Sequence, residues 1–165
     1  KTAYEMLRSL VGSEMCIRDR RSLVPGVAIS TDIIVGFPGE SDEDFEETME
    51  VLEKVRFEQL FSFKYSPRPH TAAADYKDQV NALTASDRLT RLQARHTEIL
   101  DEVMDAQLDA IHKVYFDELK PNGRIAGRSD DGKLVFADGS ESLLGQIARV
   151  KITKTSRGAL DGVVL

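Results

Sequence analysis

One cysteine, Cys16, is all that the 165 residues contain. A single thiol closes no intrachain disulfide, and it cannot hold an iron–sulfur cluster, which takes three or four thiolates. Histidine is nearly as scarce. His70, His96 and His112 assemble with that cysteine into no Ser-His-Asp or Cys-His arrangement, and no H-E-x-x-H or paired-cysteine metal spacing is present. No metal site is expected, and the sequence is poor material for a free-standing catalyst. Long apolar runs are missing too: none approaches the roughly 18 residues that span a bilayer, so no membrane partner is expected. Lys1 is followed by no apolar h-region or small-residue cleavage site, so the start does not read as a secretory signal. Hydrophobic residues at 41% and charged residues at 30% describe a soluble globular protein. Sparing use of cysteine fits a reducing cytosol, which makes the expected location cytoplasmic.

Basic charge is short overall, with a net charge of −6, but unevenly so. Residues 1–112 carry 13 basic and 21 acidic side chains, whereas residues 113–165 carry 9 and 7. From Gln146 to Arg157 there are four basic residues (Arg149, Lys151, Lys154, Arg157) and no acid. Two units with different surroundings are therefore expected, divided near residue 113.

In the first unit, "VAISTDIIV" (27–35) is short, apolar and β-branched, bounded by Pro25-Gly26 and by Gly36-Phe37-Pro38-Gly39. It reads as a strand buried on both faces, of the kind found in parallel sheets. Pro38-Gly39 suits the centre of a type II turn. Ser41 stands three residues before Asp44, a capping-box start with acids in the first turn where the helix dipole favours them. Phe45, Met49, Leu52 and Val55 form one apolar stripe. "FEQLFSFKY" (57–65) alternates Phe57, Gln59, Phe61, Phe63 and Tyr65 on one parity, a second strand. Strand, helix and strand within so short a span predict a right-handed parallel βαβ unit. After a proline-bearing loop, a long helix is expected from Thr84 to about Lys113 on the seam Leu89, Leu92, His96, Ile99, Val103, with His96 a packed core histidine. Beyond it, "KVYFDEL", "GKLVFAD", "QIARVKIT" and "LDGVVL" predict a small all-β barrel or sandwich. Ala148, Val150 and Ile152 should face its core and Arg149, Lys151 and Thr153 the solvent.

Parallel αβ units place function in the loops after the strands' carboxyl ends, here Gly36–Glu40 and Ser66–Thr71. The first lacks both G-x-G-x-x-G and G-K-[ST], so it is neither a dinucleotide fingerprint nor a P-loop. The second holds Tyr65, Ser66 and Arg68 between stiffening prolines, a setting in which an arginine can meet a phosphate, carboxylate or base edge. In the β module, Arg124, Arg128, Lys151, Lys154 and Arg157 could line a groove for phosphates, with Tyr115 and Phe136 the aromatics at hand.

Two stretches carry a resemblance: "STDIIVGFPGE" followed by "FKYSPRPHTAA", and "GRIAGRSDDGKLVFAD" with "LLGQIARVKIT". Together they resemble the C-terminal part of the MiaB-type radical-SAM methylthiotransferases. The resemblance covers about residues 21–165 and implies an α/β fold: the C-terminal part of an incomplete radical-SAM barrel (21–112), then a long helix and a small all-β TRAM barrel (113–165) that binds tRNA. The implied activity adds a methylthio group to carbon 2 of N6-isopentenyladenosine at tRNA position 37. It uses S-adenosylmethionine and two 4Fe–4S clusters, and the family's proteins act as monomers. It would place Asp32, Gly36, Phe37, Gly39 and Glu40 near S-adenosylmethionine, and Tyr65, Ser66 and Arg68 on the substrate rim. The cluster ligands and the half of the domain that bears them are expected to be missing, leaving the chain inactive by itself. His70 stands where the family usually has glycine, so the turn there is expected to differ. Residues 1–20, with "LVGSEMCIRDR", do not continue the family pattern and resemble a translated artefact. Enzymes acting on threonylcarbamoyladenosine share "YSPRP" and stay open as an alternative. So do ribosomal-protein methylthiotransferases, although Arg68 favours tRNA, and so does a non-catalytic RNA-binding module.

Overall fold

The computed structural model describes residues 16, 17, 19–24 and 26–165. Most of the divergent opening segment lies outside the described residues; Cys16, near its end, is exposed. The chain divides into two compact units, one ending at Ile99 and the other Leu100–Leu165.

The first unit contains β1 (Ser30–Val35), α1 (Asp42–Val55), β2 (Gln59–Lys64), a 3-10 turn at Ala72–Asp75, and most of α2 (Ala82–Asp105). β1 and β2 are hydrogen-bonded neighbours and run parallel, from Ser30 opposite Gln59 to Val35 opposite Lys64, as the strand-helix-strand pattern predicts. α1 begins with the predicted capping box, Ser41 and Asp44 each satisfying the other's backbone N–H, an arrangement that contributes about 1 kcal/mol. Phe45, Leu52 and Val55 of its stripe are buried.

Burial of β1 on both faces is not what the structure shows. Val35 is buried, but Ser30, Asp32 and Ile34 are exposed, and Ile34 keeps 54% of its surface. The register sets Gln59, Phe61 and Phe63 beside them, so one face of the pair is open and partly aromatic. The reason is coverage. On β2, Ser62 and Lys64 bond to Gln93 and Ser86 of α2, and α1 is tied to α2 by Arg91–Glu46 and Arg95–Glu53. Among the described residues nothing covers the other face.

The long helix is shorter than its periodicity predicts. It stops at Asp105, turns through Gln107 and Leu108, and reaches a left-handed Asp109 at φ 64°. Its buried seam is Ala85, Arg88, Leu92, His96 and Ile99. His96 is the expected core histidine: its Nε2 lies 3.0 Å from the Phe57 carbonyl oxygen.

The second unit is a closed barrel of β3 (Ile111–Leu119), β4 (Arg124–Ser129), β5 (Leu134–Asp138), β6 (Ile147–Ser156) and β7 (Ala159–Val164), in the order β3-β4-β5-β7-β6. Val114, Phe116, Ile125, Val135, Val150, Ile152 and Leu160 fill the interior, with Met104 from the end of α2 packed against them. The alternation predicted for β6 holds, since Val150 and Ile152 are fully buried while Arg149 and Lys151 are exposed. β4 is a strand that the sequence pattern does not announce. Gly127 interrupts it, yet a Cβ there would overlap the Tyr115 carbonyl oxygen, so the residue that disguises the strand is the one that lets β3 cross closely.

Candidate functional site

The loop after β1 is built around two glycines with positive φ, Gly36 at 73° and Gly39 at 83°. Glu40 N–H donates to the Phe37 carbonyl at 2.9 Å, closing the predicted Pro38-Gly39 turn. A Cβ on Gly36 would sit 2.6 Å from that of Ala85, so α2 presses directly on the loop. Glu40 does not point outward. Its Oε2 accepts from Gly36 N–H at 2.6 Å and from Arg88 Nη1 at 2.6 Å, while Arg88 Nη2 reaches Asp42 Oδ1 at 2.6 Å. Arg88 also donates to the Glu40 carbonyl and lies 5.6 Å from the Phe45 ring centre. Burial opposes its charge, but Asp42 and Glu40 outweigh that and hold the guanidinium above its ordinary pKa. Glu40 is thus a strut that shapes the loop, and Arg88 is the partner that fixes it.

Phe37 and Tyr65 join the two predicted loops. Their rings meet edge to face at 5.1 Å, and Tyr65 N–H donates to the Val35 carbonyl at 2.8 Å. Tyr65 Oη is buried with no partner among the described residues. Ser66 and Arg68 are exposed beyond it, and Arg68 is anchored through its carbonyl, which accepts from Thr71 Oγ1 at 2.8 Å. Asp32 lies apart from this rim, on the open face beside Ile34 and opposite Phe61.

His70 takes φ 67°, so the histidine adopts the left-handed turn that glycine would favour. Relieving that conformation with His70→Gly should stabilise the chain by about 0.5 kcal/mol, and the β-branched His70→Val should destabilise it by about 1–2 kcal/mol. Urea unfolding followed by circular dichroism reads both.

The five basic residues expected on the barrel do not form one groove. Arg124 bridges Asp161 at 2.6 Å and Asp138 at 3.3 Å, and with Lys120 it lies over the Phe136 ring. Lys154 stands past a β-bulge, opposite Asp161. Arg157, in the β6–β7 turn, grips Asp101 through two hydrogen bonds of 2.8 and 2.6 Å, and its guanidinium holds that carboxyl below the usual carboxylate range. Arg128 and Lys151 do share a surface, the outer face of β4, β3 and β6. Across it run three rows: Arg128, Tyr115 and Ile147; Lys113 and Arg149; Ile111 and Lys151. All of these residues are exposed or half-buried. Lys113 and Arg149, which face each other directly, have no ion-pair partner among the described residues, and Lys151 has an exposed one in Asp109 at 2.9 Å. Like charges set opposite one another weaken a sheet. Here they leave two cations side by side on an exposed face. Lys113 escaped the sequence reading; the matched odd-number parity of β3 and β6 is the signal that would have found it.

His112, Asp130 and Asp131 bring one donor atom each to within 4.8 Å of one another. Lys133 Nζ, 2.5 Å from Asp131 Oδ2, already supplies the positive charge there. Burial alone would raise the Asp131 pKa, but hydrogen bonds from Lys133 and Ser129 hold it below the usual range.

Residues 111–165, which include this closed barrel, match the TRAM domain family. The chain as a whole is 72% identical over 145 residues to the tRNA-2-methylthio-N(6)-dimethylallyladenosine synthase of Sulfurovum sp. (strain NBC37-1), a match covering 88% of this chain and 34% of that protein. The same-named proteins of Campylobacter concisus (strain 13826) and of a Nitratiruptor species are 61% and 55% identical over 142 residues, each match covering 86% of this chain and 33% of theirs. The chain spans about a third of the length of these curated relatives, matching their C-terminal part. Among the described residues no helix is long and apolar enough to cross a membrane.

Proposed function

We propose that this chain serves as the C-terminal part of a cytoplasmic tRNA methylthiotransferase, with residues 21–112 completing a radical-SAM domain and 113–165 holding the tRNA. The reading rests on the identity to relatives named for 2-methylthiolation of N6-dimethylallyladenosine in tRNA, and on the exposed basic sheet face. S-adenosylmethionine, which in this family supplies a 5′-deoxyadenosyl radical, suits the open face of β1 and β2. There Ile34, Phe61 and Phe63 offer apolar surface to an adenine, and Asp32 offers a carboxylate to ribose hydroxyls. The main contribution of Gly36–Glu40 is a rigid wall at the end of β1, held by Arg88. Tyr65 Oη, an orphaned polar group whose burial costs about 1–3 kcal/mol, supports a polar ligand at the rim beside Ser66 and Arg68. The clusters are another matter. With one cysteine, the chain cannot ligate a 4Fe–4S group, and none of its residues is assigned a step through one.

The test is tRNA binding by the full chain, read by fluorescence anisotropy across a salt series. If Lys113, Arg128, Arg149 and Lys151 each neutralise a phosphate, log K should fall against log salt with a slope of roughly −3. Arg149→Glu/Lys151→Glu should lower affinity at least about tenfold at low salt. Arg157→Gln should change it little, because that guanidinium is already committed to Asp101. Wild-type affinity in the Arg149→Glu/Lys151→Glu double variant would refute the assignment.

A further inference from the structure

We propose that Tyr115 is a stacking platform for an unpaired nucleobase, so that the barrel reads a single-stranded segment of its RNA and not a duplex. This rests on the tRNA reading above and adds to it what part of the RNA the face takes.

The barrel has three aromatic residues, in three different situations. Phe116 is fully buried in the core. Phe136 faces outward but carries Lys120 and Arg124 at 5.9 and 5.7 Å from its ring centre, with both cations held by carboxylates (Glu118, Asp138 and Asp161). That ring is occupied, and its surroundings would repel a phosphate. Tyr115 keeps 48% of its surface exposed and makes no ring contact among the described residues.

Its position is the second observation. Tyr115 sits between Arg128 on β4 and Ile147 on β6, one row from Lys113 and Arg149. A base laid on the ring would therefore have cations on two sides for its flanking phosphates, and Ile147, 70% exposed, to extend the apolar platform. Aromatic stacking amid cations on an open sheet is how single strands are held, because every base has a π-face and the backbone can follow the charges. A duplex cannot use the ring. Its bases are already stacked on one another, and only its phosphates and groove edges reach a flat surface.

The experiment compares two RNA probes on the full chain by fluorescence anisotropy at low salt: an anticodon stem-loop, and a blunt duplex with the same number of phosphates. Wild type should prefer the stem-loop. Tyr115→Ala should weaken stem-loop binding about five- to hundred-fold, the range of a lost base stack, with duplex binding within twofold of wild type and an unchanged salt slope. Tyr115→Phe, which keeps the ring and loses the hydroxyl, should bind like wild type. Far-ultraviolet circular dichroism of each variant checks the fold. Stem-loop affinity within twofold of wild type in Tyr115→Ala would overturn the stacking role while leaving tRNA binding intact. Failure of the wild type to bind either RNA would overturn both readings.

Discussion

Replacing Arg88 with alanine should destabilise the first unit by about 3–5 kcal/mol, because it strands the Glu40 carboxylate in a buried setting with Gly36 N–H as its remaining partner. Both side chains are almost closed to solvent, Arg88 at 5% and Glu40 at 9%. Asp42, the other partner, is exposed and can turn to water. The contrast with the double variant Arg88→Met/Glu40→Gln is the informative part. Removing both charges and keeping the volume should recover most of the loss, since a paired buried charge adds little net stability while an unpaired one costs much. Urea unfolding at 222 nm reads this directly, because the described α-helices end at Asp105 and the barrel is all strand and short turns. Equal loss in the single and double variants would mean that stranding the Glu40 charge is not what destabilises the alanine variant.

Lys113→Glu should move two properties in opposite directions. It converts a like-charged cross-strand pair into an attractive one with Arg149, which should raise barrel stability by about 0.5–1 kcal/mol. The same change removes one phosphate contact and adds a repulsion, so tRNA affinity should fall about tenfold. Thermal unfolding and anisotropy on the same preparation decide the matter. A variant both less stable and unimpaired in binding would show that the repulsion is not stored for a polyanion.

These two sites mark where the sequence was readable and where it was not. Periodicity found β1, α1 and β2 and their parallel order, because side-chain alternation and a capping box are local signals. It found the inward face of β6 for the same reason. It missed Arg88, since hydrophobic periodicity ignores charge, and the neutralising partners lie 46 and 48 residues earlier. It ran α2 too far because Ala110 and Ile111 continue the apolar stripe past the residue where the helix ends. It grouped Arg124 and Arg157 with the sheet-face cations Arg128 and Lys151, since a run of cations in the chain does not say which of them carboxylates already hold elsewhere. The parallel strand order pointed to the loop Gly36–Glu40, and family likeness to S-adenosylmethionine near it, but only coordinates show that Glu40 turns inward.

The barrel's strand order decides when it can close. β7 lies between β5 and β6, parallel to the first and antiparallel to the second. Until residues 159–164 leave the ribosome, both of those neighbours keep a bare row of amides and carbonyls, the kind of edge that recruits another chain. Closure of this module thus waits until β7 has been made. Synthesis that pauses just short of β7 would leave a sticky intermediate in place of a smaller barrel.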